Sequence, residues 1–490
     1  MLRRSLVAFG LLLASYGRAH NLAHDTTNGV THDHFALHHP LPAHATSDWT
    51  IMVYMSGDND MEAQMISDIE NEFAYLGSTA EVQIMVLADR IPGHDKTSGE
   101  CRRGKRRHER LNALRVPPLR PPQPERKPTL NPLCFLASAG DWTGTKLFKV
   151  YQNMKATASQ ALEDWGERNL ADVASLVEFV SRCRERAPAE KYMLVLWGKG
   201  GAWHRGLTLA DATSGGAAMD LDALRGATKA LGQVDAVAYD GGGHSAGIEV
   251  ASMWRAMGAG AVAFSEASAV GTGGVAWDHV LLHLNSQGYT GWGPDMGAVD
   301  LAALVVASST QGTSALAPSR TFSAVALDDR FTGLVNATNE WVASLERLLS
   351  TRPGTTAGVD GAANRLKLRG AFAAAKGFGG AGSPFSGDRD LYDMASQVQT
   401  LGLKEAYGVE ESNLVRFTSA ALMAAVEGAV VAEAHDAGHT GAHGLTAFHA
   451  TCAPSTKTPA FAFYQSLDWA AESTWDEFLD SFATKLGCAY

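Results

Sequence analysis

Two short stretches carry residue types that could do chemistry. "LVLWGKGGAW", residues 194–203, is an apolar run that opens into glycines at 198, 200 and 201 with Lys199 among them. "AYDGGGHSAG", residues 238–247, repeats the arrangement with Asp240, three glycines, His244 and Ser245. Glycines just past a strand let the backbone turn tightly and let a ligand or another chain come close. A Ser245–Lys199 pair would be a hydrolase arrangement, and His204 or His244 is an alternative base. Against that, a lysine with an ordinary pKa of about 10.4 needs strong desolvation to act as a base. Ser245 lies near the start of a helix, where an N-cap or turn role is the simpler reading. Lys199 then reads as an exposed or ion-paired turn residue, with Asp240 as its expected partner. A glycine-rich turn of this kind also passes for a phosphate loop.

The elements that must position these residues follow from hydrophobic patterning. "WTIMVYMSGDNDME" is an apolar strand ending near Asp58 and Asp60, followed by a helix to about residue 75. "EVQIMVLADR" is a second strand, and a helix over about 169–186 leads to the strand that opens into Lys199. The helix "MDLDALRGATKAL" leads to "VDAVAYD", and "IEVASMWRAMG" leads to "AVAFSEAS". Strands alternating with helices predict an α/β fold whose mostly parallel sheet is covered on both faces. Enzymes with such sheets place chemistry at the carboxyl ends of the strands. Here Asp58 and Asp60, Lys199, and Asp240 with His244 share that edge. From about Val299 the chain mixes helices such as "VDLAALVVASS" and "TNEWVASLERLL" with short strands such as "FSAVALD" and "GLTAFHA". Residues 353–388, rich in Gly and Ala, are expected to contain a loop.

Composition narrows the class. At 490 residues, with 46% hydrophobic and 19% charged residues, the chain is globular and large enough for two subdomains. A net charge of −11 argues against a nucleic-acid partner. Arg3 and Arg4, the apolar run Leu6–Ala14, and the small residues Gly17 and Ala19 read as a secretory signal over 1–19. The run is too short to span a bilayer, so the expectation is a secreted protein with no membrane contact after signal removal; an uncleaved anchor is the alternative. Asn336-Ala-Thr338 is a possible glycosylation sequon. Residues 20–47 are rich in histidine and read as a disordered, processed leader, with metal binding as the sharper alternative. The five cysteines at 101, 134, 183, 452 and 488 form no zinc or disulfide pattern, although one bridge among Cys183, Cys452 and Cys488 is available.

With these elements in order, the chain resembles the clostripain family of cysteine peptidases, which is similar in fold to caspases, legumains and gingipains. "WTIMVYMSGDNDME" with "VLADR" resembles the family's start, and "LVLWGKGGAW" its Leu-Trp-Asn-His-Gly-x-Gly-Trp segment. "AYDGGGHSAGIEVASMW" resembles its Asp-Ala-Cys segment, and "AVAFSEASAVGTGGVAWDHVL" the strand and loop that follow. "DLYDMA", "GLTAFHA" and "TWDEFL" resemble its C-terminal half. The resemblance implies a caspase-like α/β/α sandwich over 48–298 and a C-terminal extension over 299–490. It also implies a Cys–His dyad, in which a thiolate attacks and an imidazole shuttles the proton.

Both dyad positions are substituted. The family histidine falls on Lys199, and the cysteine on Gly242 or Gly243, depending on where a one-residue insertion is placed. No cysteine lies between 183 and 452. Asp240 matches the family aspartate that helps form an acidic pocket for Arg or Lys, with strand capping as the alternative. Asp58 and Asp60 match a Gly-Asn/Asp-Asn motif and are expected to cap the first helix. No cofactor is implied beyond the calcium that some family members require. The leading expectation is an exported clostripain-like protein without peptidase activity that binds basic peptides. A hydrolase with a rearranged site and a purely structural or interaction domain are the alternatives.

One segment does not fit. Residues 100–140 hold 10 Lys or Arg against 3 Glu, and 7 of the 17 prolines, inside an otherwise acidic α/β pattern. Gly99-Glu100-Cys101 can be encoded GGT-GAG-TGC, which contains the consensus start of a eukaryotic intron, and Ser138-Ala139-Gly140 can end in the matching CAG-G. We read the segment as a retained intron translated in frame, with a protease-sensitive activation loop as the alternative. Sequencing of transcripts should show this segment spliced out of most molecules; coverage at the depth of its flanks overturns the reading.

Overall fold

The run Ser47–Gly57 is apolar on both faces of a strand, a pattern that only a strand covered by helices on both sides can satisfy. In the computed structural model this strand, β1, lies near the middle of a nine-stranded sheet. The structure describes residues 46–91, 142–201, 203, 215–216, 218–219, 221–241, 244–267, 274–286, 292–309, 321–350, 357–379, 387–401, 409–449 and 459–486. The expected signal, residues 20–45 of the His-rich leader, the basic insertion, His204, Gly242 and Gly243 lie outside these residues, as do all the cysteines except Cys183; Ser47, the expected end of the leader, opens β1.

β1 pairs in parallel with β2 (Val82–Arg90) on one side and β5 (Ala189–Trp197) on the other. Parallel pairing continues to β6 (Ala236–Asp240) and β7 (Ala261–Phe264). Two antiparallel strands flank this parallel core at each end. β3 (Gly144–Lys149) and β4 (Glu163–Gly166) follow β2, while β8 (Thr321–Ala326) and β10 (Val430–His435) follow β7. The expected α/β architecture with a mostly parallel central sheet is therefore present. β8 and β10, from beyond the boundary expected at residue 298, extend the same sheet.

Alternation along each strand separates two cores. Met52 and Tyr54 pack on one face with Leu194, Leu196 and the helix Val173–Arg186. Ile51, Val53 and Met55 pack on the other with Val195, Trp197 and the helices Trp277–Leu284 and Ala298–Ser309. The helix expected over about 169–186 begins at Val173, because the Asp172 side chain caps it by accepting from the Ala174 amide at 2.9 Å. Cys183 is a buried free thiol, so it is not a disulfide partner. Asn336 is exposed mid-helix, but the Thr338 hydroxyl of the same sequon is buried and donates to the Leu334 carbonyl at 2.9 Å.

The stretch expected to contain a loop has irregular residues 375–379 and also holds, before them, the helix Ala357–Ala374. Its Ala, Leu and Arg residues favour helix enough to offset the glycines, and Asn364, Leu368 and Phe372 recur every four residues on its buried face. β11 (Thr446–Phe448), expected as one more strand, pairs with β9 (Asp388–Asp390) in a separate two-stranded sheet. Among the described residues, no helix is long and apolar enough to cross a membrane.

His449 closes β11 in a setting that makes stability depend on pH. Its side chain is buried, with ring centroids 4.5 Å from Phe372 and 6.0 Å from Phe482, and neither ring nitrogen has a hydrogen-bond partner. Burial, helped by the nearby Arg389 charge, pushes its pKa down to about 3. The unfolded chain takes up this proton near pH 6.5, so the stability from the neutral imidazole is lost as pH falls from there toward 3. Glu249 opposes it: burial, with the nearby Asp388 charge, pushes its pKa up to about 7. That contribution grows as pH falls from 7 toward the ordinary carboxylate range, so the two offset each other until roughly pH 4.5, below which only the His449 loss continues. Relative to the parent, His449→Phe should gain on the order of 2–3 kcal/mol between pH 8 and pH 4. Urea unfolding at the two pH values measures this difference.

Candidate functional site

The carboxyl ends of β1, β2, β5 and β6 meet on one edge, as the sequence patterning requires. Asp240 is the last residue of β6, paired with Trp197 of β5. The Gly198 amide donates to the Asp240 carbonyl at 2.9 Å, and Gly201 bridges His244 in parallel. The turns after β5 and β6 therefore run side by side. Gly241 has φ +93°, and a Cβ built there would lie 2.8 Å from both the nitrogen and the oxygen of Gly198. The glycine here is a steric requirement.

Lys199 pairs with Asp60, on the turn that follows β1. The expected pairing with Asp240 is not formed, because the Asp240 carboxylate is buried and already engaged. One oxygen accepts from the amides of Gly241 at 2.7 Å and Val275 at 3.2 Å. The other accepts from the Trp277 indole at 2.7 Å. Asp240 thus ties the end of β6 to the segment that starts the helix Trp277–Leu284. Gly274 makes that possible: a Cβ at 274 would stand 2.3 Å from the carboxylate.

Neither Asp58 nor Asp60 caps the first helix: its N-cap is Met61, with no side-chain cap, and Asn59 braces the turn before it. The Asn59 side chain accepts from the Met61 amide at 2.9 Å and donates to the Ser56 carbonyl at 2.9 Å. Asp58 turns inward, and its carboxylate gathers with those of Asp89 and Glu167, with oxygens within 4.8 Å of one another. Oxygen donors of this kind suit calcium. However, nothing beyond the acidic cluster points to an ion, so no calcium site is assigned.

Among the described residues, Lys199, His244 and Ser245 are not brought together as a replacement site. His244 is buried, with Nδ1 against the Glu266 carbonyl and Nε2 2.9 Å from the Asp388 carboxylate of the second sheet. Two acceptors facing one ring orient it for structure, away from solvent. Ser245 is also buried, and its hydroxyl oxygen accepts from the Ser265 amide at 3.3 Å. The N-cap of the helix Ile248–Ala256 is Gly247, so Ser245 does not cap it. With the Lys199 amine at Asp60 and the Ser245 hydroxyl at Ser265, the Ser–Lys pair is not formed. Glu249, in the first turn of the helix Ile248–Ala256, accepts from the Phe448 amide at 3.0 Å and the Tyr464 hydroxyl at 2.9 Å. The segment that follows the Lys199 turn, on which the phosphate-loop reading depends, lies outside the described residues.

Patterning alone missed two acids behind the edge, Asp68 buried and Glu72 half-buried. Asp68 accepts from the Trp197 indole at 2.9 Å, and Glu72 accepts from the Trp277 amide at 3.1 Å. Burial, with the neighbouring Asp240 charge, holds the Asp68 pKa well above the ordinary range; burial and Asp68 do the same to Glu72. The available signal was the pairing of Asp68 and Glu72 four residues apart on a helix whose surroundings are apolar. Their segment, Asp68–Phe73, is π-helical.

These geometries separate two aspartates. An amide at 240 would turn an NH2 toward donors, so Asp240→Asn should cost about 2 kcal/mol. One Asp68 oxygen accepts from the Trp197 indole and the other from the Gln64 amide, which can rotate to present its oxygen to an amide at 68, so Asp68→Asn should cost less than about 1 kcal/mol. Because the native pKa of Asp68 is raised, the stability it contributes is full at low pH and falls as pH rises above about 3.9. Asp68→Asn should flatten that decline, as thermal melts from pH 4 to 8 would show.

The geometry can be set beside known proteins. Among solved structures, the chain is similar to a secreted C11 cysteine protease from Bacteroides thetaiotaomicron in complex with an irreversible peptide inhibitor. Identity is 13% and the TM-score 0.50, over 88% of this chain and 99% of that one. It is also similar to an inactive zymogen C11 protease from Parabacteroides distasonis, at 14% identity and a TM-score of 0.51, over 87% and 98%. No curated protein matches. The clostripain family model matches residues 53–308, spanning β1 through β7 and the edge where Lys199 and Asp240 lie. On that match, the chain belongs to the clostripain family.

Proposed function

We propose that this member of the clostripain family is exported and does not hydrolyse peptides, and that it binds basic peptide segments at its acidic strand edge. The observation that carries the proposal is Lys199 at the histidine position, its ammonium held by Asp60. An ammonium in an ion pair has no lone pair with which to take a proton from a nucleophile. The substituted nucleophile position and the inward-facing His244 and Ser245 support the same reading.

Peptide binding rests on charge. Asp240, the expected anchor for an arginine, is committed to Trp277 and two amides, whereas Asp60 is 69% exposed. An incoming Arg or Lys would compete with Lys199 for Asp60, forming charge-assisted hydrogen bonds. Exposed pairs of this kind are worth roughly 0.2–1 kcal/mol, so the binding is weak and broad in specificity.

Purified protein incubated with Arg- and Lys-terminated fluorogenic peptides should show no turnover. Turnover that disappears in Lys199→Ala or Ser245→Ala would establish the rearranged hydrolase instead. Calorimetry with an arginine-containing peptide should give weak binding, reduced about two- to fivefold in Asp60→Asn. No binding at all would leave a structural or interaction domain.

A further inference from the structure

We propose that the two turns of the site are locked together through their backbones, with Gly241 as the locking residue. This rests on the inactive reading above and deepens it: the loss of peptidase chemistry is built into the path of the chain as well as into two side chains.

Three observations support it. First, the β5–β6 ladder does not stop at the strand ends. Trp197 pairs with Asp240, the Gly198 amide donates to the Asp240 carbonyl, and the same parallel register resumes at Gly201 and His244. Second, the contact between the turns excludes a side chain. A Cβ at 241 would meet the Gly198 peptide at 2.8 Å, and φ +93° is a conformation that L residues rarely adopt. With the one-residue insertion placed after 241, the Asp-Ala-Cys pattern that this segment resembles carries alanine at 241, and that pattern then requires a different path. Third, the partners on either side hold the turns in place. Lys199 reaches Asp60 on the β1 side of β5, whereas β6 lies on its opposite side. A base serving a thiol after β6 must face the other way. Beyond the second turn, His244 is held by Asp388, and the Ala246 carbonyl accepts from the Thr446 amide at 2.8 Å and its hydroxyl at 2.9 Å.

The lock predicts that restoring the dyad side chains is not enough. The full-length variants Lys199→His with Gly242→Cys, and Lys199→His with Gly243→Cys, should stay as silent toward an arginine fluorogenic peptide as the parent. Adding Gly241→Ala to the first should raise turnover at least about tenfold by parting the turns. Turnover by either folded double variant equal to that of the triple variant would overturn the proposal. Turnover by the unaltered protein would overturn the inactive reading instead, so the two failures are distinguishable. Hydrogen exchange provides a test that does not need the triple variant to fold. In the unaltered protein the Gly198 amide should exchange at least about a hundredfold more slowly than an unprotected amide. Exchange at the unprotected rate would overturn the lock.

Discussion

Burying the Asp240 carboxylate at the end of a central strand is the constraint on which the site's architecture depends. A carboxylate taken out of water needs several donors, and here they come from its own turn, from the backbone at Val275 and from the Trp277 indole. Meeting that need fixes where the chain re-enters after β7. It also sets the Trp277 amide against Glu72, while Trp197, the β5 partner of Asp240, donates to Asp68. Three acids and two indoles thus join the first helix, the middle strands and the helix Trp277–Leu284. Burial, together with like charges held this close, pushes the Asp68 and Glu72 pKa values up, and the hydrogen bonds from Trp197 and Trp277 hold the cluster together.

The second sheet supports the same edge from the other side. Asp388 on β9 meets His244, Thr446 on β11 meets Ala246, and the Gly444 amide donates to Glu266 at 3.0 Å. A small two-stranded sheet has little stability alone. Its role is to supply polar partners to the loop that follows β6. The C-terminal part of the chain is therefore structural support for the edge, in addition to extending the main sheet through β8 and β10.

Much of this could be read from residues in order. The apolar runs ending at Asp58, Lys199 and Asp240 gave the parallel core, because strands covered on both faces must be continuously hydrophobic. The motif order pointed to the family. Partner choice was harder to read. Lys199 lies within reach of two strand ends, and only the inward turn of Asp240 decides for Asp60. Asn59 braces the turn where its acidic neighbours were expected to cap the helix, which starts from Met61 without a side-chain cap. The Ala357–Ala374 helix was obscured by glycines that raise its cost without abolishing its buried face. β3, β4 and β10 are short or amphipathic flanking strands, whose pairing depends on the sheet already being present.

The pairing of β2 with β3 has one further consequence. Arg90 lies opposite Gly144 in the antiparallel register, and its guanidinium sits 4.8 Å over the Trp142 ring. Arg90 is also bound to Glu62 in a fully buried ion pair. The two strands thus form a hairpin stem whose ends are fastened independently of what connects them. Closing such a stem costs entropy that grows only with the logarithm of the connection, about 0.6 kcal/mol for each doubling of its length. Translation of an extra stretch between these strands would hardly register in folding, and selection for stability alone would exert little pressure to remove it.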